Sequence, residues 1–238
     1  MPSKRRLKSA LPSQRVSHPG AHSQRHIAFF PLLTLCFIVW MIYRLRLGFP
    51  VWFDETVGKA VFFGLPVWLY VAISQTKAII DTFSVAKVKR GLLLGLAVGG
   101  LYGFMAAVVV LAQSGAPVQA APLFALDEFW WQFFLALMTG FWETLFFYCW
   151  VMVVIQEKFV NWALAKQVGL VALIFTLFHI PNAVIRYQGI EILAQITVLF
   201  LFALGQGFVF ARRHNAYTLI LSHAIWGMVL LVHLSSFR

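Results

Sequence analysis

Charge is what this sequence has least of. Only 11% of its 238 residues are Asp, Glu, Lys or Arg, against roughly 25% in an average soluble domain. With 61% apolar residues and a mean hydropathy of +0.82, too few polar side chains remain to cover a water-soluble globule. Acidic residues are especially scarce, eight in all. Cysteine is scarce too: Cys36 and Cys149 lie inside apolar runs with no CxxC spacing, which argues against a disulfide framework or a thiolate zinc site. What is abundant is aromatic. The 24 Phe, 9 Trp and 6 Tyr would collapse out of water, so a disordered chain is excluded. An integral membrane protein is the class that remains. Its nineteen Lys and Arg give a formal charge of +11, which in such a protein is read first through the positive-inside rule.

Residues 1–26 hold six bases, five serines and no acid, and form a basic cytoplasmic tail suited to anionic lipid headgroups. No aromatic is interleaved with these charges, so nucleic acid is not an expected partner. The same composition fits an organelle transit peptide. The expected location is therefore the cell (inner) membrane, with an organelle membrane left open. Crossing the hydrocarbon core takes about 20 apolar residues, and seven segments qualify: Ile27–Tyr43, Val57–Ser74, Gly91–Ala112, Phe129–Ile155, Val168–Tyr187, Ile190–Ala211 and Tyr217–Leu234. None shows the two-residue alternation of a β-barrel. The fold class expected is all-α, a polytopic transmembrane helical bundle of about seven spans with the N-terminus inside. That orientation puts fourteen bases inside and five outside, the latter being Arg44, Arg46, Lys59, Arg186 and Arg238. Residues 156–167 are expected to form an interfacial helix on the inner leaflet. The chain divides into the tail, N-terminal helices over 27–128, and a core over 129–238.

The third span carries Gly91, Gly95, Gly99 and Gly103 on one helix face, a seam for close helix packing. Three ionisable residues lie at membrane depth: Glu143 in TGFWETLFFYCW, His179 in FTLFHIPN and His223 in LSHAIWGM. Each is costly alone in hydrocarbon, and one shared cavity satisfies all three. The depths agree best if the fifth span runs through Pro181. His18, His22 and His26 are assigned to the tail, His214 to a basic loop, and His233 to a helix end.

These residues resemble three motifs of the CAAX prenyl protease and bacteriocin-processing (CPBP, or Abi) family of intramembrane proteases. That family has two adjacent glutamates followed three residues later by arginine, then FxxxH, then HxxxN. Here the first is ETLFFY, with Glu143 retained, Thr144 in place of the second glutamate and Tyr148 in place of the arginine. The second is intact at Phe175 and His179. The third keeps His223 but has Gly227 in place of asparagine. The agreement covers roughly residues 129–235.

The resemblance implies an intramembrane endopeptidase in which Glu143 and His179 activate water and His223 stabilises the oxyanion. A raised carboxylate pKa in a low-dielectric cavity, as burial produces, suits general base catalysis. One carboxylate and two imidazoles equally supply three zinc ligands with a fourth position open for water, so zinc is the cofactor to test at Glu143, His179 and His223. The expected partners are the lipid bilayer, a membrane-associated or lipidated peptide substrate, and proteins of a membrane complex. Two further classes stay open. One is a catalytically inactive relative serving as a subunit or assembly factor, its partners met by the glycine seam and by Trp130, Trp131, Trp142 and Trp150. The other is a cofactor protein with His179 or His223 on haem or a chlorin.

Overall fold

A computed structural model describes residues 26–114 and 128–234. Residues 1–25 of the expected tail, residues 115–127, and residues 235–238 with the expected outer base Arg238 lie outside the described residues. Backbone polar groups in lipid have to be satisfied within their own segment, and the long apolar runs accordingly form helices. In chain order these are α1 (Phe29–Arg46), α2 (Val51–Ser74), a short α3 (Lys77–Asp81), α4 (Val88–Ser114), α5 (Phe129–Lys158), α6 (Leu164–Arg186), α7 (Ile190–Arg213) and α8 (Ala216–Leu234). Six helices within 29–213 are long and apolar enough to cross a membrane, and α8, 19 residues long, coincides with the seventh expected span. The chain is an integral, multi-pass, all-helical membrane protein.

The helix α5 is the pillar of the bundle. Of its most apolar stretch 78% is buried, against 17–44% in the other five candidate spans. Its residues Thr144–Met152 wind as a π-helix and every one of them is buried. Around it pack Phe29, Phe63, Tyr70, Phe175 and Phe178, largely through edge-on ring contacts such as Phe29 on Trp150 and Phe147 on Phe175. Trp150 is therefore core, not surface; only Trp130 and Trp131 of the α5 tryptophans are exposed.

The glycine seam faces α8. Side chains added at Gly95 and Gly99 would press on Leu221 and Ile225, so the two helices lie nearly backbone to backbone. Between α7 and α8, Gln206 Nε2 donates to Ser222 Oγ at 3.0 Å. Pro181 lies inside α6, which continues through it to Arg186. On the flank of this stretch Trp40 Nε1 of α1 donates to the Phe178 carbonyl at 2.9 Å.

Two local expectations are corrected. Residues 156–167 form no interfacial helix: α5 runs on to Lys158, a tight turn follows in which Phe159 stacks on Trp162, and Leu164 already begins α6. His26 is no tail residue in its surroundings. It is fully buried, with Nδ1 2.5 Å from the Tyr70 hydroxyl and Nε2 2.8 Å from Glu157 Oε2, and so ties the start of α1 to α2 and α5.

Candidate active site

Glu143 sits at the junction where α5 passes from α-helical to π-helical winding. π-Helical turns are uncommon and concentrate at functional sites. Three residues earlier, Gly140 lies against the backbone of α8, where an added Cβ would stand 2.7 Å from the Ile220 carbonyl oxygen. This approach brings His223 of α8 to Glu143. From the other side α6 contributes His179, one turn beyond Phe175, whose ring stacks on the imidazole with centroids 4.2 Å apart. Phe202 of α7 packs edge-on against His223 at 5.0 Å.

The three residues singled out in the sequence thus converge. Glu143 Oε2 lies 3.3 Å from His179 Nε2 and 3.4 Å from His223 Nε2, yet it has no hydrogen bond among the described residues. His179 Nδ1 is 2.7 Å from the Phe175 carbonyl oxygen. A carbonyl only accepts, so Nδ1 carries a hydrogen, and Nε2 is the nitrogen turned toward Glu143.

A fourth member was not picked out in the sequence. Lys59 of α2, counted there among the outer bases, is only 4% exposed, and its Nζ donates to Glu143 Oε1 at 2.6 Å. Lys59 also pairs with Glu55 one turn earlier, and Glu55 accepts from the Thr139 hydroxyl of α5. The signal available was a Glu-x-x-x-Lys pair at the mouth of an apolar run, where a lysine at membrane depth calls for a partner. A second network lies beside it: Asp54 accepts from Tyr43 and Arg44, and Arg44 Nε donates to Asn182 Oδ1 of α6 at 2.6 Å.

The motif positions that differ from the family pattern have their own surroundings. The buried Tyr148 hydroxyl donates to the Ala203 carbonyl at 3.3 Å. Thr144 Oγ1 is buried without a hydrogen bond among the described residues. At Gly227 an added Cβ would meet only Ala136 Cβ, at 3.9 Å.

The donor set of Glu143, His179 and His223 is one that zinc accepts, but these residues as placed do not fit a zinc site. The carboxylate already carries an ammonium at 2.6 Å. His223 Nδ1 is buried with no hydrogen-bond partner among the described residues, whereas metal-binding histidines almost always anchor their second nitrogen. Among the described residues no group of three or more His, Cys, Asp and Glu is arranged to hold a metal ion.

No curated protein and no solved structure matches this chain. Residues 125–229, a little under half of the sequence, match the family model described as type II CAAX prenyl endopeptidase Rce1-like. That segment contains Glu143, His179 and His223, and it is similar to the same family of intramembrane proteases that the three sequence motifs resemble.

Proposed function

We propose that the protein is an intramembrane endopeptidase that hydrolyses a peptide bond of a membrane-associated or lipidated substrate. The observation that carries this is the single carboxylate oxygen, Glu143 Oε2, faced by Nε2 of both His179 and His223 inside a buried site. Glu143 takes a proton from water as the hydroxyl oxygen adds to the scissile carbonyl. His179, oriented by its hydrogen bond to the Phe175 carbonyl, holds that water beside the carboxylate. His223 donates to the developing oxyanion, where a fixed donor in a dry site is most effective. The proton held by Glu143 then passes to the leaving amine as the C–N bond breaks. The family match points to prenylated CAAX-type peptides as the first substrates to try.

A quenched farnesylated CAAX peptide, offered to the purified full chain in mild detergent, tests this. Cleavage is expected, and Glu143→Gln should abolish it, because the amide keeps the shape but takes no proton. His179→Ala should do nearly the same. Full cellular function in a Glu143→Gln, His179→Ala double variant would overturn the peptidase function and favour a subunit role.

A further inference from the structure

We propose that Lys59 is the resident cation of this site: held between Glu55 and Glu143, its ammonium fills the electrostatic role a metal ion would have and leaves Glu143 Oε2 alone to face the two imidazoles. The catalytic consequence rests on the peptidase function proposed above; the electrostatic content does not.

Four observations carry it. Lysine is almost never fully buried unless paired, and here Lys59 is buried with both its acidic partners in contact. The pairing is divided by oxygen: Oε1 of Glu143 is taken by Nζ at 2.6 Å, while Oε2 lies at 3.3 and 3.4 Å from the imidazoles. One oxygen is thereby fixed, and the rotation of the carboxylate with it. A dication placed on Oε2 would stand beside an ammonium on the same carboxylate, and like charges that close repel strongly in a low-dielectric interior. Finally, α2 is shaped around this residue. Lys59 lies between two π-helical turns, Asp54–Gly58 and Ala60–Gly64, the kind of winding that marks functional sites. Glu55, bonded in turn by Thr139 of α5, holds the ammonium from its other side. Lys59 is therefore a positioning residue that acts through Glu143.

Zinc binding and peptide cleavage, measured on the same purified full-length protein, test the proposal separately. Wild type dialysed against zinc should retain no stoichiometric metal. Lys59→Met, with the ammonium gone, should gain about one zinc per chain and lose it again when His179→Ala is added. One zinc per wild-type chain, removed by Glu143→Gln, would overturn the proposal. For the farnesylated peptide, a chelator should leave wild-type cleavage unchanged. Lys59→Arg should stay within about tenfold of wild type, and Lys59→Met should lose at least 100-fold in kcat with little change in KM, the scale of losing one preorganised charge contact. Wild-type kcat in Lys59→Met, or a chelator that abolishes wild-type cleavage, would also overturn it. If Lys59→Met does not fold, Lys59→Met with Glu143→Gln removes both charges and should melt closer to wild type than Lys59→Met alone. A double variant less stable than the single one counts against the pair. A wild type that cleaves no peptide defeats the peptidase function, while the zinc arm still decides the role of Lys59.

Discussion

Gly140 of α5 packs directly on the Ile220 carbonyl of α8, with space for no side chain between them. This contact lies one turn from Glu143 and one from His223, so it sets the distance between two of the three converging residues. Gly140→Val should force the helices apart. Overpacking of this kind costs roughly 1–3 kcal/mol, and cleavage should fall at least 100-fold because displacements of about 1 Å are already costly at a reacting centre. Thermal melting and peptide cleavage on one preparation check both effects. Unchanged cleavage in Gly140→Val would mean that the α5–α8 approach does not set the site.

Position 227 is the opposite case. A Cβ there meets only Ala136 Cβ at 3.9 Å, so the first atom of an asparagine side chain meets no clash one turn from His223. Gly227→Asn should raise kcat on the farnesylated peptide by about tenfold or more, since a single oxyanion donor is commonly worth 100- to 1000-fold. A rate at or below wild type, with the fold intact, would show that the substrate carbonyl lies out of reach of residue 227.

The glycine seam makes a prediction about stability rather than chemistry. Gly95→Leu and Gly99→Leu should lower the melting temperature, because α8 stands against both positions. Gly100→Leu is the matched control on the same helix: nothing lies within 4 Å of its Cβ position. Equal melting temperatures for all three would argue against the α4–α8 interface.

Topology can be read by labelling from one face of the membrane. Single cysteines introduced between α4 and α5 and at the exposed Arg213–His214 end of α7 should label from opposite faces, the first outside and the second inside, given the excess of bases expected inside. The native Cys36 and Cys149 are buried and should contribute no background. Labelling of both positions from one side would refute the seven-span arrangement.

How far the sequence carried these conclusions varied by residue. Glu143, His179 and His223 were legible because a polar residue in an apolar run stands out, and the cost of isolating it says that it needs company. The seam was legible because glycines four apart share a helix face. Lys59 was not, because a base near the end of an apolar run is ordinarily a snorkelling or loop residue. Only the path of α2 past α5 turns it inward. His26 escaped for the same reason, its partners Tyr70 and Glu157 being far away in sequence. The helix expected over 156–167 failed because amphipathic composition does not distinguish a surface helix from a helix end followed by a turn. The π-helical turns have no sequence signature that periodicity can detect.

The burial of all nine residues of Thr144–Met152 has a consequence for how such a protein can evolve. A span that touches lipid is held to apolar side chains by the solvent around it. The π-helical stretch of α5 is enclosed by other helices instead, so each of its residues answers to neighbours that can themselves change. A carboxylate next to it could arise by substitution, provided that a cation appeared on a facing helix. Acquisition of Glu143 and of Lys59 would then be linked events, and variation at one position should be accompanied by variation at the other across relatives of this chain.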